Sequence, residues 1–145
     1  MPANESIDLK KPGADTTVKA SAAITGKRFI RYSGNRTGGG HAGLSTDLAN
    51  VPQAAPCNGT TQIPCGVAAH DAASGSLVGK LSGAGRHCTV LSGAAVTAGA
   101  LVMADATGRA ITFTGADADG IPFPCGIAVT GVGAADLDLE VQLLY

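Results

Sequence analysis

The chain writes one short phrase twice, as Pro64-Cys65-Gly66-Val67-Ala68 and again as Pro124-Cys125-Gly126-Ile127-Ala128. Each copy runs on through a Gly-containing turn into a second β-leaning run, "SLVGKLS" in the first case and "LDLEVQLLY" in the second. A proline can open a strand because the amide hydrogen it lacks costs no ladder bond there, and a glycine just inside permits a bulge or a close backbone approach. The cysteine between them is small, apolar and readily buried. The two copies therefore read as equivalent corner-turning hairpins in a quasi-symmetric barrel.

The remaining sequence agrees with short strands. Thr16 to Ala20 and Lys27 to Ser33 lean to β on either side of a turn-like "ITG"; "RHCTVLSG", "GALVMAD" and "RAITF" follow the first repeat. Asp or Ser early in a turn and Gly late in it suit type I turns that end in a left-handed residue. In the last run Leu137, Leu139, Val141 and Leu143 alternate with Asp138, Glu140, Gln142 and Leu144, so one face is buried. No segment sustains a 3.6-residue period. The expected fold class is all-β, a small barrel or sandwich of short hairpins. Residues 1–15, with Pro2, Pro12 and Gly13 and no period, read as a flexible arm on a single body spanning 16–145. Within that body, residues 34–62 are dominated by Gly, Asn, Thr and Pro and read as a long contact loop, with at most one helical turn in "GLSTDLANV".

A paired cysteine motif raises the question of metal or redox chemistry. Zinc sites place two ligands within a few residues of each other so that a local knuckle organises half the tetrahedron, and Cys57, Cys65, Cys88 and Cys125 contain no such pair. His87 beside Cys88 points the opposite way if both lie in a strand. A Cys57–Cys65 disulfide is geometrically conceivable, but reduced thiols are the expectation for a chain read as cytoplasmic. There is no nucleophile elbow, and His70 and Asp71 fall at a turn. Asp117 and Asp119 lack the later ligands of a calcium loop, and "RTGGGHAG" lacks a P-loop lysine. No catalytic, cofactor-binding or metal residue is assigned, and no cofactor is expected.

Composition restricts the function further. Hydrophobic residues make up 45% of 145, but aromatics only 3%, so Ala and Val must supply a core that a monomer fills thinly; an oligomer is expected. No run of eighteen apolar residues and no signal-like start are seen, hence no membrane partner and synthesis in the cytoplasm. The net charge of −1 hides an asymmetry: residues 1 to 36 carry seven basic against three acidic side chains, and the remainder three against eight. A basic front on an acidic body steers the front toward acidic protein surface. Nucleic acid is not the expected partner, because the basic residues are sparse and no aromatic platform accompanies them.

The run "CGVAAHDAASGSLVGKLSGAGRHCTVLSGAAVTAGALVMADATGRAIT" resembles the capsid decoration, or cement, proteins of tailed bacteriophages. The resemblance covers roughly residues 16–145 and is most specific in "AAVTAGALVMADATGRAIT"; residues 34–62 have no matching counterpart. It implies a β-rich body, commonly trimeric, on the outside of the expanded capsid where major capsid protein subunits meet, with no catalytic residues. The expected role is thus a structural virion protein that stabilises the head by bridging capsid subunits, with Lys10, Lys11, Lys19, Lys27 and Arg28 as capsid-binding residues. Two alternatives stay open. One is a virion-surface module for carbohydrate or host binding, which would use Phe29, Tyr32, Phe113, Phe123 or Tyr145 as stacking platforms; the other is a trimeric nucleotide hydrolase such as dUTPase, whose first motif "HAGLSTDLA" resembles.

Overall fold

A computed structural model describes residues 16–34, 51–59, 62–115 and 123–145. Among these residues every regular element is a strand: β1 (Thr16–Ala20), β2 (Phe29–Tyr32), β3 (Gln53–Pro56), β4 (Gly66–Ala68), β5 (Leu77–Leu81), β6 (His87–Leu91), β7 (Leu101–Ala104), β8 (Ala110–Thr112), β9 (Gly126–Ala128) and β10 (Asp138–Leu143). The all-β expectation holds. The arm, residues 35–50 of the loop, and Asp117 and Asp119 lie outside the described residues.

The first five strands form a closed barrel in the order β1-β3-β2-β4-β5, and the last five form a sheet in the order β6-β10-β9-β7-β8. These are one topology written twice. The antiparallel pair β1·β5 sets Val18 opposite Val78, and β6·β10 sets Val90 opposite Leu139. Ile30 opposite Gly66 in β2·β4 becomes Val102 opposite Gly126 in β7·β9. Ala20 lies parallel to Ala54 in the first unit, and Ser92 bridges Ala110 in parallel in the second, bringing its outermost strands together. Even the turn contacts recur, since Ile24 bridges Ala72 where Val96 bridges Val132.

Matched positions tend to change in pairs. Buried Lys80 extends its Nζ to the Tyr32 hydroxyl at 3.0 Å and lies 5.2 Å from the centre of that ring. In the second unit those positions hold Val141 and Ala104, both in the apolar core. The long lysine is buried along its stem and given a polar partner, whereas its counterpart simply packs.

Two apolar clusters hold the chain together. One fills the first barrel, with Val18, Ala20, Ile24, Ile30, Ala54, Ala68 and Val78. The other fills the second unit but also takes in Phe29, Cys57 and Val67 from the first. The two units therefore share a core across their seam. Backbone bonds cross there as well: the Phe29 N–H donates to Gly108 O at 2.7 Å and the Leu91 N–H to Lys27 O at 2.8 Å.

One correction concerns β3. The sequence reading left residues 34–62 without a strand, whereas Gln53–Pro56 lies between β1 and β2 and closes the first barrel. Its letters, Gln-Ala-Ala-Pro, carry no β-branched or aromatic residue; the strand is dictated by its neighbours on both sides and by burial of Ala54 and Ala55.

Candidate functional site

The residues that could carry chemistry are dispersed or engaged in local structure. Asp71 Oδ1 accepts the Gly26 N–H at 2.7 Å, and His70 Nδ1 is 2.9 Å from the Asp71 carbonyl oxygen, so the two side chains serve a turn and not each other. His87 is exposed and Cys88 buried, as alternation along β6 requires. His87 Nδ1 instead lies 2.8 Å from Glu140 Oε1 across the β6·β10 pair, an exposed contact of small energetic value.

All four cysteines are free thiols. Burial pushes Cys57 and Cys125 up to about 12, with Cys125 and Cys65 adding to the effect at Cys57. Burial likewise takes Cys65 and Cys88 to about 11, against small opposing pulls from Lys80 and Arg86. A nucleophile or metal ligand must be a thiolate, and these environments disfavour that form. Among the described residues no three His, Cys, Asp or Glu side chains converge on a metal-sized site. The seam lined by Phe29, Pro64, Gly66, Cys125, Leu143 and Tyr145 is too tight for a water molecule.

What the structure does build is a pair of surfaces. Of the expected capsid-binding residues, Lys19 is half-buried on β1, and Lys10 and Lys11 lie outside the described residues. Lys27 and Arg28 are engaged within the chain: Lys27 Nζ contacts both Asp138 carboxylate oxygens, at 2.9 and 3.0 Å, and Arg28 Nη1 donates to Thr107 O at 3.2 Å. Both bonds cross the seam. The positive charge that steering arguments assign to the front of the chain is thus partly spent on joining the two halves.

Sequence reasoning missed an apolar face on the second unit. Leu101 is 42% exposed and pairs with half-buried Ile127 across β7·β9, with Phe113 close by through its N–H to Leu101 O at 2.8 Å. The signal was present in the repeat: Ile127 occupies the place of Val67, which is fully buried against the second unit.

A family model described as phage cement protein matches residues 9–143. The chain belongs to the phage cement protein family. This cement protein is accordingly a structural protein of the phage head and a component of the virion. Its fold is similar to that in "The crystal structure of head fiber gp8.5 N base in bacteriophage phi29", with a TM-score of 0.63 at 18% identity over 90% of this chain and 93% of that one. No curated protein matches the sequence.

Proposed function

We propose that this cement protein binds the outside of the assembled capsid as a homo-oligomer, expected to be a trimer, and stabilises the shell by bridging major capsid protein subunits. Residues 16–145 act as the decoration body and residues 1–15 as an arm, the protein being made in the host cytoplasm before it meets the shell. The observation that carries this reading is the family match over nearly the whole chain. A body in which Cys57, Cys88 and Cys125 are buried thiols and in which His70 and Asp71 contact backbone atoms and not each other supports a role without catalysis.

The physical action is linkage. A protein that binds the closed shell and not its separated subunits shifts the equilibrium toward the shell by mass action. Several arms on one oligomer multiply the effect, because later attachments are intramolecular. Lys10, Lys11 and Lys19 are the better part of the charged contact, since Lys27 and Arg28 already hold Asp138 and Thr107. The experiment is co-sedimentation with empty shells using the full chain and a chain lacking residues 1–15. The truncated protein is expected to melt as a folded body while losing shell binding by about tenfold or more, as loss of multivalent contact implies. Undiminished binding would overturn the role of the arm; absence of binding by the full chain would overturn the capsid reading.

A further inference from the structure

One end of the first barrel carries a polar group that the rest of its interior lacks. Thr16, Lys80 and Tyr32 each stand one inward position beyond a core residue, namely Val18, Val78 and Ile30. Register puts Lys80 opposite Thr16 on one side and Ala68 on the other, and sets Tyr32 opposite Ala54. All three therefore gather where β1 and β3 begin and β2 and β5 finish. Lys80 is only 7% exposed, yet its Nζ ends at the rim and donates to the hydroxyl of Tyr32, which is 54% exposed. Its stem is held in place. Nζ lies 5.2 Å from the centre of the Tyr32 ring, and Gly66 comes so near that a Cβ there would stand 2.8 Å from Lys80 Cγ.

The chemistry of this pair is one-sided. An ammonium has three N–H donors and accepts nothing, and a hydroxyl that accepts from it still has its own hydrogen to give. With one N–H engaged by Tyr32, the pair presents donors alone. A buried charge is ordinarily matched by an opposite one, because it has given up its hydration. Among the described residues the carboxylates are committed elsewhere: Asp105 and Asp136 to Arg109, Asp138 to Lys27, Glu140 to His87, and Asp71 to the Gly26 N–H. Nor does folding demand the lysine. The matched positions of the second unit hold Val141 and Ala104, and that unit closes its core with them.

We propose that Lys80 and Tyr32 form a receptor for a carboxylate, carried on an acidic segment of the shell protein that meets this end of the first barrel. The two oxygens of one carboxylate can engage both donor atoms, which lie 3.0 Å apart. Because the lysine stem is already held, little ordering remains to be done on binding. The surroundings favour an anion as well, since Lys19 and Arg31 on the same barrel also have no carboxylate partner among the described residues. The inference rests on the capsid reading for the source of the carboxylate and on the geometry alone for the site.

The chain has two tyrosines, so full-length protein carrying isotope-labelled tyrosine gives an NMR spectrum in which Tyr32 reports the site and Tyr145, bonded to Pro124 O, is the control. The probes are tetraglutamate, acetate, inorganic phosphate and sodium chloride at matched ionic strength. Tetraglutamate is expected to move the Tyr32 signals saturably, acetate to do so more weakly, and chloride to move neither tyrosine. Lys80→Met keeps the apolar stem and is expected to weaken tetraglutamate binding about tenfold or more, the effect of losing a charge-assisted hydrogen bond. In co-sedimentation with empty shells the same variant is expected to bind about tenfold less tightly than wild type. Should Lys80→Met melt early, Lys80→Val combined with Tyr32→Ala rebuilds the apolar pair of the second unit, and its loss of shell binding is read instead. Equal movement of Tyr32 and Tyr145, unchanged tetraglutamate binding by Lys80→Met, or a response to phosphate without one to carboxylates would each overturn the site. Wild type and Lys80→Met sedimenting alike would overturn the shell as the source of the carboxylate; so would Tyr32 signals that move with protein concentration alone, which place it on a second copy. A protein whose Tyr32 titrates as expected yet ignores shells would keep the site and remove the capsid reading.

Discussion

Gly66 and Gly126, which hold the same place in the duplicated phrase, are required for a steric reason. A Cβ on Gly66 would overlap the Leu81 carbonyl oxygen, and one on Gly126 would overlap Val141 Cγ1 and the Gln142 carbonyl oxygen. Gly66→Ala is therefore expected to lower unfolding stability by about 1–3 kcal/mol in urea titration, since backbone must shift to admit the methyl group. Elsewhere the two halves trade glycine for a side chain. Lys27 (φ 58°) stands where Gly99 (φ 81°) does, and Asp136 (φ 60°) donates its N–H to Ser92 O as Gly75 (φ 87°) does to Ala20 O. Those two are the non-glycine residues with positive φ among the described residues, and both hold an ion pair, Lys27 with Asp138 and Asp136 with Arg109. The thiols carry a pH signature. Burial raises Cys57 and Cys125 from an ordinary 9.0 to about 12, so their protonated forms favour the folded chain; stability is complete below about pH 9 and falls as pH climbs toward 12. Melting curves at pH 8 and pH 10.5 are expected to show that loss, and thiol-modifying reagents at pH 8 are expected to reach Cys57 and Cys125 only upon unfolding. The phrase itself made a close approach at glycine and a buried cysteine legible; the partners Leu81, Val141 and Gln142 come from the neighbouring strands, and Cys125 is buried where Cys65 is half-buried.

Turns and strands show where local reading stops. The β7–β8 turn is tied by Asp105, whose Oδ1 accepts the Thr107 and Arg109 N–H groups at 2.7 and 2.9 Å and whose Oδ2 meets Arg109 Nε at 2.9 Å. Partial burial opposes ionisation of Asp105, but the bonds from Thr107 and Arg109 outweigh it and hold the carboxyl below its ordinary 3.8. Its contribution is complete above that value and fades as pH falls through the lowered one. Asp105→Ala is expected to cost about 2 kcal/mol, the size of hydrogen bonds to a charged group, read from denaturant midpoints. Strand β10 was legible because Leu137, Leu139, Val141 and Leu143 alternate along one face; the last three are buried, whereas Leu137 lies just before the strand and is 46% exposed. Strand β3 was not, because nothing in Gln-Ala-Ala-Pro favours a strand apart from the two neighbours that sandwich it, one of them parallel and distant in sequence. The duplication itself was only partly legible. Its phrase marks β4 and β9, yet the β2–β3 connection runs from Ser33 to Pro52 where the β7–β8 turn needs only Asp105 to Arg109, and so no constant period survives along the chain.

For the molecule as a whole, the seam decides what can exist alone. Phe29, Cys57 and Val67 belong to the core of the second unit, and each half by itself is near the size at which a single core is marginal. Residues 1–85 expressed alone are expected to aggregate, and co-expression with residues 86–145 is expected to recover a folded two-piece complex, checked by size-exclusion chromatography. The poverty in aromatics that first suggested an assembly is answered in part inside the chain, by one unit covering the other. Closure of the first barrel has a further effect. A sheet wrapped back upon itself offers no row of free amides and carbonyls for a stranger to zip onto. Among the described residues, the first unit of this cement protein therefore leaves no open edge along which another chain could add a strand.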